Sequence, residues 1–142
     1  MKKVLLGLLS LTLIATTACK KGKDAPAFTK ENVIGSYKIE RVTFKADAGG
    51  GEQDVTSEQF EDCELDDILT LKNDFTYDKD DAGEPCNGDE SGTWGIPAAN
   101  KFQMDTEVFD VTTWDGTTVG VSSAVELMPG ISGVVTMYMK KQ

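Results

Sequence analysis

The chain opens on an apolar run at positions 4–14, passes through a short polar stretch, and then alternates apolar and polar residues over most of its remaining length. A period of two marks a half-buried strand. The first alternation begins at Gly35, with Tyr37 and Ile39 on one face and Val42 and Phe44 on the other. That change of phase predicts a bulge near Glu40-Arg41. Strands are predicted over 68–71 and 75–77, joined by a tight turn at Asn73-Asp74, and over 93–96, where Pro97 stops the run. Positions 102–104 and 108–114 alternate as well. Asp115-Gly116 then leads into the longest alternation, in which Thr117, Val119, Val121, Ser123, Val125 and Leu127 share a face. Pro129-Gly130 makes the last turn before a strand over 133–139.

Eight strands with short connections predict an all-β domain, an eight-stranded antiparallel up-and-down barrel or half-open barrel. Closing the sheet removes edges that would otherwise invite aggregation. A short helix is expected over 28–34, with Thr29 as its N-cap and Asn32 three residues later. Helical period recurs afterwards only near 57–64, and no internal repeat is visible.

The amino-terminal run follows Lys2 and Lys3 and is too short to span a bilayer, since eleven helical residues rise only about 16 Å. It fits the apolar core of a secretory signal. Ala15-Thr16-Thr17-Ala18-Cys19 then resembles a bacterial lipoprotein signal, which implies lipid attachment at Cys19 after removal of residues 1–18. Thr16 departs from the Leu usual at that place, and ordinary secretory cleavage after Ala18 is the alternative. The expected organisation is a signal peptide over 1–18, a lipidated tether over 19–27 and a barrel domain over 28–142. The tether carries Lys20, Lys21 and Lys23 and reaches at most about 29 Å over its last eight residues. No acidic run follows Cys19, so the expected location is the cell envelope, at the outer membrane and facing the periplasm.

The chain's 142 residues suit one domain. It carries 24 acidic against 14 basic residues, and no histidine. Histidine-dependent catalytic triads and imidazole metal sites are therefore excluded. Strong acidity disfavours nucleic acid, whose phosphates need Lys and Arg. A cation or a basic protein is the partner class that such a field attracts. Positions 52–90 alone hold 15 acidic residues opposed only by Lys72 and Lys79.

With Cys19 lipidated, Cys63 and Cys86 remain, in a compartment that permits disulfides. Thiol catalysis and metal ligation are the alternatives, but the spacing is not C-x-x-C and no histidine or third structural cysteine completes a zinc set. A Cys63–Cys86 bridge would close about 24 residues and contribute roughly 3.5 kcal/mol on the chain-entropy model. Asp78 and Asp80 echo the first positions of a calcium loop, yet Ala82 fails the third and Asp89 stands where Glu is needed, so a solvated acidic loop is expected. No metal and no cofactor is expected. Nothing in the sequence singles out a pair from Asp66, Asp67 and the other carboxylates for hydrolysis. Arg41, the only arginine, is expected to pair with a surface carboxylate rather than clamp an anion. Tyr37, Trp94 and Trp114 are expected in the core rather than around a ligand. Gly49-Gly50-Gly51 reads as a flexible loop, since no phosphate-binding Lys-Ser/Thr follows.

Several blocks resemble the lipocalin-like domain of small bacterial lipoproteins: Gly35-Ser36-Tyr37, Asp62-Cys63-Glu64-Leu65-Asp66-Asp67-Ile68-Leu69-Thr70-Leu71, Asn73-Asp74-Phe75-Thr76-Tyr77, Cys86 and Gly92-Thr93-Trp94. The resemblance covers roughly residues 28–140. It implies an eight-stranded antiparallel barrel or half-open barrel, often with an apolar interior, and a Cys63–Cys86 bridge; it implies no catalytic residues. Tyr37 stands where Trp is more usual, and Phe75 stands at a turn position where Gly is common. The expected function is non-enzymatic binding of a small hydrophobic ligand by a membrane-anchored lipoprotein. An acidic lipoprotein that captures a basic protein is the alternative. On the strand ending near Leu127, small residues facing inward would leave a cavity and inward valines would fill it.

Overall fold

The computed structural model describes residues 24–142, with the side chains of residues 127 and 128 outside that description. The expected signal peptide over 1–18, the expected lipid site Cys19, and Lys20, Lys21 and Lys23 of the expected tether lie outside the described residues. No helix among those described is long and apolar enough to cross a membrane.

The elements follow in the order α1 (Lys30–Val33), β1 (Gly35–Ala46), β2 (Gln53–Asp54), α2 (Thr56–Gln59), α3 (Asp62–Leu65), β3 (Ile68–Leu71), β4 (Thr76–Asp80), β5 (Glu90–Gly95), β6 (Lys101–Met104), β7 (Glu107–Trp114), β8 (Thr118–Met128) and β9 (Ile131–Lys141). From β3 onward each strand pairs antiparallel with the next, and β1 pairs with both β3 and β9. Eight strands thus close into an up-and-down barrel, and the half-open alternative is excluded. The closing seam is long, running from Tyr37↔Lys141 to Ala46↔Gly133. The β5–β6 seam is the shortest of the barrel, with only Trp94↔Met104 and Gly95↔Gln103 in register. The extra strand β2 adds to β1 at Thr43↔Asp54 and Phe44↔Gln53.

The register of β1 slips between Ile39 and Arg41, where the phase change predicts a bulge. Glu40 is the additional residue. It allows Tyr37, Ile39, Val42 and Phe44 to share the inner face despite their odd and even numbers, opposite Lys141, Met139, Met137 and Val135. A second slip, between Val111 and Thr113, does the same for Val111 and Trp114 in β7.

One end of the barrel is shut. Val33, Tyr37, Leu71, Trp94, Phe102 and Val119 pack there into a buried cluster, with α1 across it. Tyr37 donates its hydroxyl to the carbonyl of Val33 at 2.5 Å, and Lys141 Nζ donates to the carbonyl of Asn32 at 3.0 Å. Upstream of α1, Phe28 meets Trp114 edge to face at 5.5 Å, and Pro26 lies against the turn at Gly116. The helix is shorter than the expected 28–34 because Ile34 is already extended. At the same end the turn after β3 carries Phe75 at φ 65°, a left-handed conformation that glycine adopts more readily. The next strand therefore starts at Thr76, one residue later than the alternation suggests.

The opposite end is covered by the connection from β1 to β3. The helical period near 57–64 resolves into α2 and α3, separated by extended Phe60 and Glu61. Glu64 accepts the backbone N–H of Glu61 at 2.9 Å and steadies the start of α3.

Candidate functional site

Between the apolar plug and this cover the barrel encloses a cavity of about 320 Å³. Such a volume falls at the small end of the range typical of ligand sites, about 300–1,000 Å³. Tyr37 and Phe102 lie at its floor. Its walls are Ile39 from β1, Leu69 from β3, Met104 from β6, Phe109 from β7, Val121 and Ser123 from β8, and Val135, Met137 and Met139 from β9. Phe60, Glu64, Asp67 and Lys79 complete the lining toward the mouth. Phe60 reaches it because the chain is extended between α2 and α3.

The valines of β8 face inward, yet they do not fill the interior. Val119 and Val121 do join the buried cluster. Beyond Val121, however, the next inward position is Ser123, which leaves room above the plug.

An ion pair sits at the mouth. Asp67 is 6% exposed, and its Oδ2 lies 3.2 Å from Lys79 Nζ. Its Oδ1 is buried and accepts no hydrogen bond from any described residue. Lys79 faces inward because β4 alternates from Tyr77 to Lys79, opposite Leu71 and Leu69 of β3. Glu90, directly across on β5, approaches the same lysine at 3.9 Å. Asp66 turns the other way and accepts the N–H of Glu84 at 3.3 Å. Sequence reasoning missed the Asp67–Lys79 pair. The signal was present in Tyr77-x-Lys79, which places a lysine on an inward face where it needs a counter-ion.

Cys63 and Cys86 form a disulfide, with Cα atoms 5.7 Å apart, that ties α3 to the loop between β4 and β5. Asn87 donates to Glu64 at 2.6 Å across the same junction. Inside the loop, Asp81 accepts the N–H groups of Cys86 and Gly88, and Asp89 accepts that of Asp81. These carboxylates organise the loop's own backbone. Among the described residues only Glu61, Cys63 and Cys86 approach closely enough to share an ion, and the disulfide occupies both sulfurs. Asp78, Asp80 and Asp89 do not converge, and Asp78 pairs with Lys72 instead.

The remaining candidates lie outside the cavity or serve the plug. Arg41 makes no ion pair within 4.0 Å among the described residues; it stacks over Tyr138 at 4.3 Å, which corrects the expected carboxylate partner. A guanidinium gains from the ring's negative face while staying hydrated. Trp94 is buried in the plug and donates Nε1 to the carbonyl of Lys72 at 3.0 Å. Trp114 is half-buried beside Phe28. Tyr37 both packs in the plug and lines the cavity, and burial pushes its phenol up to about 12, so it stays a neutral donor. Gly49 and Gly50 adopt positive φ in an exposed loop. Comparison with family models, with curated proteins and with solved structures found no match, so the cavity's own geometry carries the functional argument.

Proposed function

We propose that the protein is a non-enzymatic binding module of the lipocalin-like kind, tethered to the membrane through Cys19, that holds one small hydrophobic ligand in its barrel. The observation that carries this reading is the apolar cavity above the Tyr37–Phe102 floor. A close-packed interior has few voids larger than a water molecule. A space of about 320 Å³ walled by Ile39, Leu69, Met104 and Met137 has the character of a binding site. The lipoprotein-like segment ending at Cys19 supports anchoring in the cell envelope, at the outer membrane facing the periplasm.

Native mass spectrometry of the protein isolated from its own envelope tests the ligand reading. A retained small mass is expected, and it should be lost in Ser123→Phe, which places a ring in the cavity. Repeated isolation without any bound mass, together with indifference to apolar additives, would overturn it. The acidic cover gives a second reading, capture of a basic protein through Glu58, Asp62, Glu84 and Glu90, all exposed. Such capture would weaken sharply with added salt, whereas filling an apolar cavity responds little.

A further inference from the structure

Resting on the proposed cavity function, we infer that the ligand is an amphiphile whose head is a primary ammonium, seated against Asp67 with its tail directed toward Tyr37 and Phe102. Three observations at the mouth define the head. Asp67 is more than nine-tenths buried and lines the cavity. One of its oxygens is engaged by Lys79, and the other, also buried, accepts nothing from any described residue. A buried carboxylate oxygen in this state is an acceptor that calls for a donor. The surrounding charge decides which donor. Glu64 and Asp67 line the mouth and Glu90 approaches it, against Lys79 alone.

A carboxylate head has no donor when ionised and would enter a site already holding three carboxylates. Its natural partner, Lys79, is flanked by Asp67 at 3.2 Å and Glu90 at 3.9 Å. A hydroxyl head supplies one donor and no charge. An ammonium supplies three donors and the charge that the mouth lacks. The walls below Asp67 are apolar, with Leu69 two residues on in the same chain segment and Met104 and Met137 across the barrel. Head and tail therefore have separate, adjoining surroundings.

Calorimetric titration of the protein with decylamine, decan-1-ol and decanoic acid at neutral pH tests this. The expected order of affinity is amine, alcohol, acid, with the amine at least about tenfold tighter than the acid. Asp67→Asn, nearly equal in volume, should reduce that ratio to threefold or less. Asp80→Asn, which removes an exposed carboxylate of β4 that does not line the cavity, should leave the ratio within twofold of the parent. Acid binding as tightly as amine to the parent protein, the result expected if a trapped water satisfies Asp67, overturns the head-group assignment whether or not any variant folds. So does a preference that survives Asp67→Asn. In both cases the cavity reading stands, because the chains still bind. If none of the three probes binds, the cavity reading fails and the head-group assignment fails with it.

Discussion

At the closed end of the barrel, Val33, Tyr37, Trp94 and Phe102 meet in a packed cluster, and the polar groups among them find backbone partners. At the mouth, short helices and an acidic loop are held by a disulfide and by carboxylates that fold back on their own backbone. The first end is stabilised by apolar burial, the second by covalent and polar links around the cavity. A barrel of this size cannot both fill its interior and keep a site. The division lets one half supply stability while the other supplies room.

The strongest way to break this contrast is to cut equivalent holes in the two halves. Leu71→Ala, in the packed end at a residue only 3% exposed that does not line the cavity, should cost about 3–5 kcal/mol in urea denaturation. Met104→Ala, on the cavity wall, should cost clearly less, about 2 kcal/mol, because the side chain already borders open space. Equal losses would mean that the interior is uniform. Replacing Cys63 and Cys86 together by Ser should cost roughly 3 kcal/mol through the loop that the bridge closes. Hydrogen exchange in that variant should rise over the β4–β5 loop and α3 while the amides around Tyr37 and Trp94 stay protected.

Smaller effects sharpen the picture at single turns. Phe75→Gly should change stability by less than about 1 kcal/mol. Relief of the left-handed backbone offsets the lost contact with Trp94, whose ring centre lies 5.4 Å away. The smallest effect concerns acid. Asp74, Asp105 and Asp115 are held below the usual carboxylate range, chiefly by hydrogen bonds from Thr76, Thr93 and Thr118 respectively. A lowered folded-state value means stability that is present above the unfolded value near 3.8 and lost as pH falls through the folded one. Thermal melts should therefore be flat from neutral pH to about pH 5 and decline below about pH 4. Asp115→Asn should flatten that decline slightly.

Much of this architecture was legible because barrel strands write their inner face into the sequence. The eight alternating runs correspond to the eight barrel strands, and the odd-even change between Ile39 and Val42 marked a real bulge. The same change between Val111 and Trp114 passed unnoticed, since polar Thr112 and Thr113 fit an unbroken alternation. Strand β2 left no mark, because Gln53 and Asp54 are both exposed and bury no apolar face. The cavity was harder. Whether inward valines fill a barrel depends on what faces them across the interior, and Ser123, Met104 and Leu69 meet only after closure. The Asp67–Lys79 pair was hidden in the same way, one carboxylate among the 15 of its region until the fold selected it.

Pro26 and Phe28 enter against Gly116 and Trp114, and Gln142 donates its backbone N–H to Ser36, so both ends of the described chain leave from the blunt side. An attachment made through the residues before Asp24 would therefore meet the barrel at its closed base. The mouth beside Asp67 and Lys79 opens at the other end, clear of both termini of the described chain.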